Sequence, residues 1–264
     1  MRPSVINLPV GERGRHPPLA RRRRQQRGGG APSKSKCRER LRTANRFVVA
    51  FYSNPVLTEG ALRYGLRPLS ALTREMRYLI EMMSPIDFLV FPATTWDHMQ
   101  DAIQRYRPQV ILWSGHTAAG DLIVETKEGL MDHKHYINAS MLWALLEKVP
   151  TVKLVCLMGC ETHRLVQQLK PTSSDCAFIS WSTLTNDTPA SVFTSGIVDS
   201  LQRSIDTNEL VDASATFQEA CRKFLEAGYR FGDPVPYMNQ GIEVPPVEGD
   251  AVLTTNVDLV ASDL

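Results

Sequence analysis

Two short segments of this sequence carry side chains suited to nucleophilic thiol chemistry. Ser114-Gly115-His116 closes the apolar run Gln109-Val110-Ile111-Leu112-Trp113, and Gly159-Cys160-Glu161-Thr162 closes the run Val152–Met158. Each run has the length and the apolar, β-branched content of a buried strand, so His116 and Cys160 each fall on a loop at a strand's carboxyl end. Neighbouring strands lie about 4.8 Å apart. If these two are adjacent, an imidazole able to accept the thiol proton stands beside the thiol, and a helix beginning after Cys160 adds a dipole that favours thiolate. Glu161 opposes that effect by placing negative charge next to the sulfur.

The elements that must position this pair follow from hydrophobic periodicity. Phe47–Tyr52, Ile86–Phe91, Gln109–Trp113, Val152–Met158 and Ala177–Trp181 read as strands, and Leu122–Glu125 as a short extra strand. Between them Leu66, Leu69, Leu72, Met76, Leu79, Ile80 and Met83 recur at three- and four-residue steps, the pattern of an amphipathic helix. Trp96–Tyr106, Asn138–Lys148, Thr162–Leu169, Ala190–Ile205 and Ser214–Ala227 read as further helices. Strands apolar on both faces, alternating with helices, predict an α/β fold: a mainly parallel central sheet with helices on both faces. In such a sheet function collects at the carboxyl edge of the strands.

The charge of the 264-residue chain is unevenly placed. Its formal net charge is +2, yet residues 1–46 hold 14 of the 30 Lys and Arg against Glu12 and Glu39 alone, and the rest of the chain nets −10. Three segments are therefore expected: a disordered basic tail over 1–46, a folded body over 47–231, and a Pro-rich, loosely attached tail over 232–264. The basic run has no interleaved aromatics, which argues against specific nucleic-acid recognition and leaves open non-specific contact with phosphates of nucleic acid or acidic membrane, nuclear import, or a solvated tail with no binding role. Apolar runs fall short of the roughly 18–20 residues of a membrane span, and the first residues lack a secretory h-region. Five cysteines without framework spacing indicate reduced thiols and a cytoplasmic protein, or a nuclear one through the tail. Without paired CxxC spacing no metal site is expected. Cys156, Cys176 and Cys221 read as core thiols, and His133 and His135 as solvated loop residues.

Counting the two motifs, six pieces occur in one order: the opening strand ending in Asn54-Pro55, the helix with Leu72-Thr73-Arg74-Glu75, the His motif, Gly120-Asp121-Leu122, the Cys motif, and Trp181…Asp187…Ala190…Phe193. Over roughly residues 46–230 this order resembles the CHAT-domain peptidases, which group with caspases, metacaspases and separases. The resemblance implies a three-layer caspase-like sandwich and a cysteine endopeptidase that acts on protein or peptide substrates without a cofactor. Cys160 is then the nucleophile and His116 the proton acceptor. The backbone N–H groups of Cys160 and Thr117 form the oxyanion hole, each donor contributing roughly 3–4 kcal/mol in other proteases. Asp187 matches an acidic position that lines a pocket for a basic P1 side chain, and Trp181 is expected in the same groove.

Two departures from the family pattern stand out. Thr117 replaces a glycine after the His, and Met158 replaces an acidic residue two before the nucleophile. Other readings remain open. Trp181 suits a core position, Asp187 an ordinary helix cap, and Glu75 a solvated or locally paired mid-helix acid. The whole domain could also be a catalytically silent module that works through protein interactions. A regulatory partner chain fits either case, since no sensor repeat is present.

Overall fold

The computed structural model describes residues 47–54, 66–85, 87–126, 131–169, 176–234 and 247–255. In chain order the elements are β1 (Val48–Ser53), α1 (Leu72–Met82), β2 (Phe88–Phe91), α2 (Trp96–Tyr106), β3 (Val110–Gly115), β4 (Thr117–Ala118), β5 (Asp121–Glu125), β6 (Met131–Ile137), α3 (Ala139–Leu146), β7 (Leu154–Met158), α4 (His163–Gln167), β8 (Ala177–Trp181), α5 (Asp187–Thr207), α6 (Ala213–Glu226) and β9 (Ala251–Thr254). The main sheet has the order β2-β1-β3-β7-β8-β9, parallel throughout except for β9. β4, β5 and β6 form a separate antiparallel sheet, joined to β3 through the single residue His116.

Strand alternation builds two cores. Val49 and Phe51, Ile111 and Trp113, Val155 and Leu157, and Phe178 face one side, where they meet α2, α3 and α4. Val48, Ala50 and Tyr52, Val110 and Leu112, Leu154 and Cys156, and Ile179 and Trp181 face the other, against α1, α5 and α6. Neither side of the central strands meets water, as the unbroken apolar runs predict. The result is the three-layer sandwich expected from the sequence. A polar cluster adds to the packing of α1, α5 and α6: Lys223 Nζ lies 2.6 Å from Asp199, and the Tyr78 hydroxyl joins both.

The structure departs from the sequence reading at three places. The helix expected from Leu66 onward begins only at Leu72, because Pro68 lacks an N–H and biases Arg67 away from the helical region. His133 and His135 lie on strand β6 rather than in a loop. Most consequentially, the C-terminal segment is not a loose tail throughout. Ala251–Thr254 pairs antiparallel with β8, from Trp181↔Ala251 to Phe178↔Thr254, and covers what would be an open edge of the sheet. The basic segment 1–46 lies outside the described residues.

Removing residues 247–264 should therefore expose the β8 edge, lower the thermal midpoint by about 5 °C or more and promote aggregation. A truncated chain that melts with the full-length one and stays monodisperse would show β9 to be dispensable.

Candidate active site

The register between β3 and β7 decides the geometry. The two strands are parallel neighbours with Ser114 opposite Met158, so His116 and Cys160 stand at equivalent positions, each two residues beyond that pair. Gly159 permits the close approach of the two chain ends, and Gly115 that of β3 to β1. A Cβ on Gly159 would come within 2.8 Å of Gly115 O and 2.9 Å of Thr117 Cγ2, and one on Gly115 within 2.8 Å of Ser53 O. His116 and Cys160 line one cleft of about 380 Å³, together with Arg67, Leu72, Glu75, Met158 and Asp187.

The thiol is held by the loop after β8. Its Sγ lies 3.5 Å from both the N–H and the carbonyl of Thr185. Desolvation pushes its pKa above the ordinary thiol value and Glu161 adds to the rise, while the Thr185 and Cys160 backbone N–H groups oppose it. The expected helix-dipole activation is weak here, since α4 has only five residues and starts three positions after Cys160. Glu161 itself adopts a left-handed φ of 54° and pairs with Arg164 at 2.5 Å.

The imidazole is held by the loop before α1. His116 Nε2 lies 2.6 Å from the Arg67 carbonyl. A carbonyl can only accept, so Nε2 carries the proton and Nδ1 is left as the basic nitrogen. Pro68 is what keeps this carbonyl outside a helix. The Asn54 side chain clamps the same loop, accepting from Leu69 N–H at 2.8 Å and donating to Leu69 O at 3.2 Å.

Several sequence-derived site residues occupy unexpected places. Trp181 does not line the cleft: it is fully buried against Phe193 and Phe224, so its expected substrate contact is corrected to a core role. This follows from β8 alternation, which directs residue 181 toward α5 and α6. Asp187 does line the cleft, but it also caps α1 from a distance, taking Ala71 N–H at 3.0 Å and the Ser70 hydroxyl at 3.2 Å on one oxygen. Thr117, in place of the expected glycine, donates its hydroxyl to the Cys160 carbonyl and so ties the two motifs together. Among the described residues no group of three or more His, Cys, Asp and Glu is placed to hold a metal ion.

Three further groups were not read as site residues. Thr162, fully buried, donates toward the Leu157 and Gly159 carbonyls and accepts from Trp181 N–H at 3.1 Å, stapling the turn around Cys160 to β8. The segment before β9 supports the Thr185 loop: Thr185 Oγ1 donates to Glu248 O at 3.1 Å, and Asn186 Nδ2 to Glu248 Oε2 at 2.7 Å. Glu75, only 4% exposed, accepts from Ser114 Oγ at 2.5 Å, with Tyr52 and Thr194 hydroxyls nearby. The Tyr52 contact is electrostatic more than a well-aligned bond. Burial raises the Glu75 carboxyl to about 7, although its hydroxyl neighbours oppose the rise. Its place on the apolar face, in step with Leu72 and Leu79, is the sequence signal that would have found it.

Across known structures, the chain superposes on caspase-1 from Spodoptera frugiperda with a TM-score of 0.51 at 14% identity, covering 81% of this chain and 87% of that one. The fold is caspase-like. A secreted C11 cysteine protease from Bacteroides thetaiotaomicron, bound to an irreversible peptide inhibitor, aligns at 13% identity with a TM-score of 0.49 over 83% of this chain and 68% of that one. No protein-family model and no curated protein sequence matches the chain.

Two stability outcomes follow. Thr162→Val leaves Trp181 N–H buried without its acceptor and should cost about 1–3 kcal/mol in urea unfolding; an unchanged midpoint would show that another group replaces the hydroxyl. Because the fold raises Glu75 from the ordinary 4.5 to about 7, it favours the neutral form. That contribution is complete below pH 4.5 and is lost as pH rises through 7, by up to about 3 kcal/mol. Glu75→Gln should flatten this part of the stability profile, and parallel profiles for the two proteins would contradict the assignment.

Proposed function

We propose that this chain is a cysteine endopeptidase of the CHAT-domain, caspase-like group, with a His116/Cys160 dyad. One observation carries the reading: the β3/β7 register brings an imidazole with a free Nδ1 and a half-buried thiol to the rim of one cleft. His116 Nδ1 takes the Cys160 proton as Sγ attacks the scissile carbonyl, and then delivers it to the leaving amine, which gives a thioester. A water, deprotonated by the same nitrogen, hydrolyses the thioester and restores the thiol. Arg67 O stabilises the imidazolium formed in between, as the acceptor of its second N–H.

The Cys160 and Thr117 backbone N–H groups are the oxyanion donors in this scheme. The Cys160 N–H already lies toward its own sulfur, where it favours thiolate. Asp187 supplies negative charge to the cleft for a basic P1 residue, and Met158 supplies an apolar wall. The catalytic domain starts at residue 47 and includes β9, with the basic segment 1–46 outside it.

A second reading is a catalytically silent module acting through protein interactions. It is favoured by the raised thiol, which is hydrogen-bonded to Thr185 rather than to His116.

Cleavage of a mixed peptide library separates the two. Cys160→Ala and His116→Ala should each abolish hydrolysis, a loss of about a thousandfold or more, while Cys156→Ala, in the core strand, keeps Cys160 chemistry intact. Hydrolysis that survives in Cys160→Ala would sink the peptidase reading. Failure of folded wild-type protein to cleave any peptide, with Cys160 inert to iodoacetamide from pH 6 to 9, would establish the silent module.

A further inference from the structure

We propose that Glu75 is a specificity-determining residue, the deep counter-charge in the cleft for the guanidinium or ammonium group of a basic P1 side chain. The inference rests on the peptidase reading above and moves the centre of P1 recognition from Asp187 to a residue on α1.

Glu75 lines the same cleft as His116 and Cys160 and is almost fully buried. Leu72, Met158 and Ala190 make the neighbouring wall apolar. A buried acid beside apolar lining suits a long side chain with an aliphatic stem and a cationic tip. Among the described residues no cation pairs with Glu75, whose partners are all hydroxyls. The Tyr52 hydroxyl beside it is fully buried and lacks an aligned partner, so the polar capacity of this spot is not used up. Asp187 differs: it is less deeply buried, and one oxygen already serves Ala71 and Ser70. Met158 leaves the position two before the nucleophile uncharged, and Glu75 supplies charge to the cleft from another element.

Recognition by a half-neutral carboxyl is linked to a proton. The groups facing Glu75 are Tyr52 from β1, Ser114 from β3 and Thr194 from α5, with Arg67, His116, Cys160 and Asp187 also on the cleft. Tyr52 is raised well above its ordinary value and stays neutral. With the Glu75 carboxyl at about 7, a bound cation favours the ionised form and the proton leaves to solvent. Affinity for a cationic P1 side chain therefore rises with pH across neutrality. A ratio of two substrates removes whatever acts on both alike, and the same ratio in Glu75→Gln reports what the other groups on the cleft contribute.

The test uses the full chain and two fluorogenic peptides identical except for arginine or citrulline, its neutral near-isostere, at P1. In wild type the arginine-to-citrulline ratio of kcat/KM should rise by up to about tenfold between pH 6 and pH 8, as a carboxyl at about 7 ionises. In Glu75→Gln the ratio at pH 8 should drop about tenfold or more, chiefly through KM for arginine, and lose its pH dependence. The wild-type profile needs no variant, so the inference stays exposed even if the substitution disturbs folding. A flat wild-type ratio, or equal losses on both peptides in Glu75→Gln, would overturn this inference and leave the peptidase reading standing. Folded wild type that cleaves nothing in a P1-diverse library would overturn both.

Discussion

Everything in the proposed site depends on one strand pairing, the parallel register of β3 with β7. Ser114 opposite Met158 fixes the two following turns at the same height, and Gly159 lets the chain ends approach more closely than any residue with a Cβ would allow. A register slip would move one motif away from the other and turn core side chains toward the wrong layer. The burial of both faces of these strands makes such a slip costly. The same force that drives folding therefore also sets the separation of the imidazole and the thiol.

Around this pairing the site is held from three sides. The loop before α1 presents the Arg67 carbonyl to His116, with Pro68 and Asn54 keeping it out of a helix. The loop after β8 presents the Thr185 backbone to Cys160, and residues before β9 brace it from behind. Asp187 joins the two, since it follows the Thr185 loop and caps the helix that follows the Arg67 loop. Glu75 ties α1 to the end of β3 through Ser114. The thiol lies in a desolvated position that raises its pKa, with the Thr185 backbone as its hydrogen-bond partner.

The buried Glu75 carboxyl shows how a local rule can mislead. In isolation a mid-helix glutamate is a solvated residue, and α1 would be no less stable as a helix if it were. Its buried position pushes it toward neutrality and gives it three hydroxyl neighbours from three elements. Such a group is expensive to retain without a purpose, because an apolar side chain of similar size would pack there without the desolvation cost.

Much of the architecture was legible in the residues alone. Apolar runs of strand length located the central strands, helical periodicity located the layers above and below, and the two motif ends put His116 and Cys160 at one edge. These features are local and repetitive, so periodicity suffices to read them. The misreadings were of another kind. β9 has only four residues and no pattern of its own, and becomes a strand because β8 offers an unpaired edge. Trp181 looked like a groove residue until the alternation of β8 turned it into the core, and Glu75 and Asp187 took roles set by partners 39 and 116 residues away. Local patterning was enough for the layers, the strand ends and the positions of His116 and Cys160, because burial acts on each segment separately. Which nitrogen of His116 is basic, what holds the thiol and which acids line the cleft come from the folded arrangement, because they depend on contacts between segments far apart in the chain.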